Sequence, residues 1–224
     1  MDSAVLERIE ANNEKLNKFM VENNIDPLSY KWSDYIEPFL ESKNIQVIKN
    51  VPRSSLNFYS GFTVKSKYST AIFVNPNMVK GRQNFSIVHE TDHIDYDFNA
   101  SQPTQRFFSV EGNPAFYSED EYELEILANT GAGIKMLPDI TLVRYMETNV
   151  SFPLMAEKLG MTKAALYTRL VQFCETTLGA TPGHAISLVR QLQSTGSREW
   201  INRRMTTYGS MIKSDIIQKF EYLK

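Results

Sequence analysis

The sequence predicts an α+β protein: a small antiparallel sheet joined to helices that bind a metal, then an all-helical unit with a helix-turn-helix. Three observations carry this. Residues 58–64 and 70–75 are rich in aromatic and β-branched side chains, the composition of strands. His89-Glu90-Thr91-Asp92-His93 sits in an apolar context (Phe85, Ile87, Val88, Ile94) that suits a half-buried helix. From Phe152 onward, Leu154–Leu159, Gly160-Met161 and Thr162–Phe173 read as helix, tight turn, helix.

Composition sets the outer bounds. The chain has 224 residues, 42% hydrophobic and 22% charged, enough for one large domain or two small ones with a real core. The net charge of −2 is unevenly spread. Residues 1–150 hold 14 Lys+Arg and 21 Asp+Glu, whereas residues 151–224 hold 10 and 5. The +5 of the second stretch suits an acidic partner or is an ordinary basic face. One cysteine, Cys174, excludes a disulfide framework and a cysteine-based zinc site, and its neighbours Leu170, Val171 and Phe173 mark it as a buried thiol. The first residues are acidic and lack an apolar core, so no secretory signal is expected. No run of 18 apolar residues exists, so no membrane span is expected and a cytoplasmic location is the simplest reading.

The elements follow in order. Residues 3–23 carry a helical stripe of Val5, Ile9, Leu16, Phe19 and Met20, ended by Asn23-Asn24 and the Asp26-Pro27 turn. Residues 33–43 form a second helix with Ser33 as N-cap, and Pro38 is expected to delay or bend it. Ile45–Ile48 alternates weakly, as a strand does, and Val51–Ser55 reads as a loop. Lys65–Ser69 joins the two best strands as a hairpin, and the motif helix is expected to begin near Arg82. A sheet edge beside such a helix can hold an extended peptide by strand addition. Residues 98–118 are turn-rich, through Asn99–Pro103 and Glu111–Pro114, and are expected to be a long loop. Residues 119–135 are a strong helix: Ser118 can cap it, and Glu119, Asp120 and Glu121 crowd its positive end. Pro138 ends it, and a further helix spans about 139–149. Beyond the helix-turn-helix, Thr181–His184 is a break, followed by helices over 184–194 and 198–222 with an interruption near Gly209. Three segments are expected: an N-terminal helix (1–25), a metal-binding domain (26–150) and a helical domain (151–224).

The chemistry is concentrated at His89 and His93. Four residues apart on a helix, the two imidazoles share one face and can bind one zinc ion, and Glu90 can face the metal's water. Catalytic zinc needs a third protein ligand with the fourth position open. Only His184 remains among the histidines, so a carboxylate is the better source. Glu125, 32 residues after His93 on the acidic helix, is the first choice. Glu121 shares its face and is an alternative, while Glu123 points about 160° away. Asn129, one turn after Glu125, is a candidate outer partner that accepts an imidazole N–H. In a hydrolysis, zinc lowers the pKa of its water to about 7 and Glu90 takes the proton and passes it to the leaving amine. Tyr96, Tyr117 and His184 are candidates for stabilising the oxyanion.

Together these residues resemble the ImmA/IrrE family of zinc metallopeptidases. The resemblance runs through Ser60-Gly61-Phe62-Thr63, the strand Ala71–Asn75, Arg82-Gln83-Asn84-Phe85 before the motif, and Glu125–Asn129 leading to Met136-Leu137-Pro138. It implies a zincin-like domain with His89, His93 and Glu125 as zinc ligands and Glu90 as general base. It also implies a substrate class: a helix-turn-helix repressor whose cleavage derepresses phage, mobile-element or stress-response genes. The family often has Leu-Gly inside the motif where this chain has Thr91-Asp92, a change expected to alter zinc affinity or to face solvent.

Two other readings compete. A DNA-binding regulator would present Lys163, Tyr167, Thr168 and Arg169 to the groove, although two basic residues are few for DNA. A non-catalytic antirepressor would bind a repressor without cutting it, and would survive Glu90→Gln.

Overall fold

The computed structural model describes residues 3–50, 59–98, 101–102, 104–110, 117–207 and 212–224. Expectations at Val51–Ser55, Glu111–Pro114 and Gly209, and in part at Asn99–Pro103, lie outside the described residues. The chain is α+β and divides into two compact units, one of residues 32–132 and one of residues 1–31 with 133–224. The division differs from the three expected segments. The N-terminal helix and residues 133–150 group with the C-terminal helices, so the +5 stretch shares its unit with the acidic start of the chain.

The first unit, here the sheet unit, is built on β1 (Ile45–Ile48), β2 (Tyr59–Lys65), β3 (Thr70–Val74) and β4 (Gln105–Val110) in the order β1-β3-β2-β4. The β2–β3 hairpin is antiparallel as expected, with Thr63 opposite Ile72. Two features depart from expectation. β1 runs parallel to β3, which makes the sheet mixed. β4 lies within the stretch expected to be a loop and pairs antiparallel with β2, Thr63 opposite Phe107. The turn residues around 99–103 and 111–114 flank a short aromatic run, Arg106-Phe107-Phe108, whose strand character rests on pairing with β2.

Strand alternation sorts the two faces. Thr63, Ile72 and Val74 are fully buried on one face, and Phe62 stacks on Phe73 on the other at 4.6 Å between ring centroids. Helix α2 (Trp32–Ser42) continues through Pro38 and buries Ile36 and Leu40. Its start at Trp32 puts Ser33 inside the helix and not at its cap. Helix α3 (Lys80–Tyr96) carries the histidine motif. Helix α4 (Glu119–Met136) opens on a capping box: the Ser118 backbone N–H donates to Glu121 Oε2 at 2.9 Å, and the Glu121 N–H to Ser118 Oγ at 3.4 Å.

The second unit, here the helical unit, contains α1 (Ser3–Glu22), the last turn of α4, α5 (Asp139–Met146), α6 (Phe152–Lys158), α7 (Lys163–Thr176), α8 (Pro182–Thr195), α9 (Glu199–Thr207) and α10 (Ile212–Glu221). The helix-turn-helix forms as read: α6 ends in a turn at Gly160 (φ 62°), and Thr162 caps α7 by accepting the Ala165 N–H at 3.0 Å. Pro182 does not break the chain but starts α8, where its missing N–H costs nothing. The core is apolar: Leu16, Met20, Leu142, Phe152, Leu166, Leu170, Phe173 and Val189 are all buried. Among the described residues no helix is long and apolar enough to cross a membrane.

Candidate metal centre

Helix α3 breaks the usual rule for a helix against a sheet. Asn84, Ser86, His89, Glu90, Thr91, Asp92 and His93 are all buried, although burial of unpaired polar groups is costly. The purpose of that burial lies in how the groups meet. His89 and His93 present their Nε2 atoms to each other at 3.1 Å. Helix α4 brings Glu125 between them, with Oε1 3.2 Å from His93 Nε2 and Oε2 3.3 Å from His89 Nε2. The side chains are 4% (His89), 0% (His93) and 13% (Glu125) exposed. These three residues form a group that can hold a metal ion. A tetrahedral ion with bonds of about 2.0–2.1 Å needs ligand atoms roughly 3.3 Å apart; the two nitrogens are near that spacing, and each faces a different oxygen of Glu125.

The surroundings orient the ligands. His93 Nδ1 lies 2.8 Å from Asp97 Oδ2, one turn further along α3. With the Nδ1 proton held there, the Nε2 lone pair is directed at the group's centre. The His93 ring also stacks on Phe107 of β4, with centroids 4.6 Å apart and 15° between planes. Without metal the cluster holds protons. Burial opposes a charge on His93, but hydrogen bonds to Asp97 and Glu125 and the charges of Glu90 and Glu125 outweigh it and push its pKa up to about 9. Burial likewise acts to raise the Glu125 pKa, but His89 and His93 outweigh it and hold it at about 2.

Glu90 is fully buried beside the group. Thr63 of β2 donates its hydroxyl proton to Glu90 Oε2 at 2.7 Å. A Cβ on Gly61, two residues earlier, would press on the Phe73 carbonyl at 3.2 Å and Ser86 Cβ at 3.3 Å, and would meet Glu90 Oε1 at an ordinary contact of 3.5 Å. The strand motif singled out in the sequence therefore backs the glutamate.

Of the residues expected at the site, His89, His93, Glu125 and Glu90 come together. Glu121 does not join them, because its carboxylate caps α4 and its pKa is lowered by the Ser118 backbone and hydroxyl donors. Glu123 is exposed. Asn129 is exposed too, and the outer partner of His93 is Asp97. Asp97 was legible, because it stands four residues after His93 and meets it on one helix face. Tyr96, seven residues after His89, and Tyr117, just before α4, are both half-buried. His184 is exposed in the first turn of α8, in the helical unit and outside the ligand group. Asp92 does not face solvent; it is fully buried. Thr63 lies in the strand motif that carries the resemblance, but Phe107 had no signal of its own in the sequence, since strand register alone brings it to α3.

The residues expected to face DNA divide. Lys163 and Thr168 are exposed and Tyr167 is half-buried, but Arg169 is 2% exposed. Its guanidinium pairs with Asp139 and donates to the Leu137 carbonyl at 3.0 Å, so it ties α7 to the start of α5 and reaches no groove. No protein-family model matches this chain, and no curated protein sequence matches it.

Proposed function

We propose that this chain is a zinc metallo-endopeptidase of the ImmA/IrrE kind that cleaves a helix-turn-helix repressor and so releases phage, mobile-element or stress-response genes. The observation that carries the reading is the convergence of His89, His93 and Glu125, the two nitrogens 3.1 Å apart and each 3.2–3.3 Å from one Glu125 oxygen, backed by the carboxylate of Glu90. Two nitrogens and a carboxylate with one position open are the donor set of a catalytic zinc, where a structural zinc closes all four.

When bound, zinc would lower the pKa of its water to about 7 and polarise the scissile carbonyl. Glu90 would accept the proton of the attacking water and deliver it to the leaving amine. Thr63 holds the Glu90 carboxylate in place through its Oε2. Asp97 holds the His93 ring in place. Among the described residues β4 is an edge strand that pairs with β2 alone, and its Phe107 lies on His93. A substrate strand pairing with β4 would run beside the ligands. Tyr96 and Tyr117 remain the candidate oxyanion donors. The helical unit would recognise the repressor, because burial of Arg169 leaves Lys163 as the one basic side chain that α7 offers to DNA. A cytoplasmic location belongs to the same proposal, as does an antirepressor role without cleavage if the test below goes against hydrolysis.

The test has two parts. Protein purified without chelator should carry about one zinc per chain, and Glu125→Ala should lose it. The wild type is then incubated with helix-turn-helix repressors from the same genome and read by intact mass. Cleavage by wild type and none by zinc-loaded Glu90→Gln is the expected outcome. A repressor that is bound but never cut by the wild type would leave a binding antirepressor instead.

A further inference from the structure

The interior of the motif, Thr91-Asp92, has no part in the chemistry above, yet Asp92 is fully buried. Its carboxylate lies on Gly131 of α4. A Cβ built on Gly131 would collide with all three terminal atoms of Asp92, Oδ1, Cγ and Oδ2. Ala128 and Ala132, on either side, are also fully buried, so the α4 surface here is made of small residues. The space that a side chain on α4 would fill is taken by the side chain of α3.

We propose that Asp92 and Gly131 form a knob and notch that fix the approach of α3 to α4 and thereby position Glu125 against His89 and His93. The inference rests on the metal-site reading and adds two positioning residues to it. The mechanics follow from helix geometry. Asp92 directly precedes His93 and follows His89 by three residues, so it moves with both imidazoles. Gly131 follows Glu125 by six residues, about 9 Å along the same helix. A helix transmits a displacement over that distance because its hydrogen-bonded turns do not compress independently. The ligand side chains approach one another to 3.1–3.3 Å, and metal sites tolerate only about ±0.2 Å in bond length. A methyl group in the notch would force the helices apart by more than that. The collision at Gly131 is one of shape, so an amide of the same shape separates the knob from any role of the carboxylate's charge.

Zinc dissociation constants are measured by chelator competition for the wild type, Gly131→Ala, Asp92→Asn and the double variant Asp92→Gly/Gly131→Ala, with helicity of each zinc-free protein recorded beside them. Gly131→Ala should weaken zinc on the order of 10–100-fold, the range for residues that orient ligands. Asp92→Asn should stay within about threefold of wild type on the shape argument. The double variant, which moves the side chain from one helix to the other, should recover most of the loss, including where Gly131→Ala alone folds poorly. Gly131→Ala binding zinc like the wild type would overturn the inference, as would a double variant no better than Gly131→Ala. A large loss in Asp92→Asn would overturn the shape argument in favour of charge. Failure of the metal-site reading looks different: the wild type itself would take up no zinc.

Discussion

Helices α3 and α7 both bury ionisable side chains, and they do so to opposite ends. On α7 the single buried ion, Arg169, is satisfied within the helical unit by Asp139, by the Leu137 carbonyl and by the Phe173 ring 5.9 Å from its guanidinium carbon. On α3 the buried groups point at one another. Two imidazole nitrogens and a carboxylate from α4 meet within 3.3 Å, and one of the imidazoles must hold a proton for that contact to be attractive. A buried charge with complete partners is architecture. Buried lone pairs that converge on one point are a site, because a cation is what satisfies them all at once. The units differ in charge in the same sense. The sheet unit holds 8 Lys+Arg against 13 Asp+Glu, and the helical unit 16 against 13.

The sharpest break between the two helices is kinetic. Glu90→Gln keeps the shape of the side chain and the Thr63 hydrogen bond but removes the base. Hydrolysis of a cleaved repressor should fall by about 10²–10⁴-fold with zinc content unchanged. Stopped-flow or gel rates beside metal analysis check both halves; loss of zinc together with activity would move Glu90 from the chemistry to the scaffold. Arg169→Ala tests the other helix. It leaves Asp139 charged and buried without its main partner, so the chain should lose about 3–5 kcal/mol of stability in urea melts. Zinc stoichiometry of the folded fraction should not change. A variant as stable as the wild type would show that Arg169 is not the tie between α7 and α5.

A smaller effect belongs to Asp97. Asp97→Ala frees the His93 ring to rotate and removes the acceptor of its Nδ1 proton. Zinc affinity should fall on the order of 10–100-fold, since the ligands themselves remain. Isothermal titration with zinc and a competing chelator gives the number, and unchanged affinity would assign the orientation of His93 to its stack on Phe107 instead.

Much of this contrast was legible before any coordinates. The i,i+4 histidines, the need for a third ligand and the acidic helix led to Glu125, and apolar periodicity with a Thr cap led to α6 and α7. What stayed hidden depends on partners distant in sequence. β4 is six residues whose strand character rests on pairing with β2, and the turn signals on both sides outweigh it locally. Arg169 has the spacing of a solvent-facing recognition residue; only the fold supplies Asp139, 30 residues earlier, to draw it inward. Asn129 shares the helix face of Glu125 but is exposed, whereas Asp97 meets His93 by the simpler one-turn rule. The sequence left Asp92 between altering zinc affinity and facing solvent, because nothing local announces that Gly131 leaves it a buried place.

The acid–base state of the metal-free cluster gives the mildest test. The pKa of His93 is raised above its ordinary value of 6.5 to about 9, and that of Glu125 is lowered from 4.5 to about 2. The His93 contribution to stability is therefore complete below about pH 6.5 and is lost as pH rises through 9. The Glu125 contribution is complete above about pH 4.5 and is lost as pH falls through 2. After chelator treatment, the pair should stabilise the fold most between those windows, and melting temperature should decline from neutral pH towards 10. Zinc reverses the upper half of the curve. It needs the His93 Nε2 lone pair and must displace the proton that occupies it below about pH 9. The gain in melting temperature on adding zinc should grow from pH 6 to 9, with close to one proton released per ion bound at neutral pH. Matched melts with and without zinc across that range measure it. A gain that does not change with pH would mean that His93 is already neutral in the metal-free protein, and that Asp97 and Glu125 share its Nδ1 and Nε2 without holding an extra proton between them.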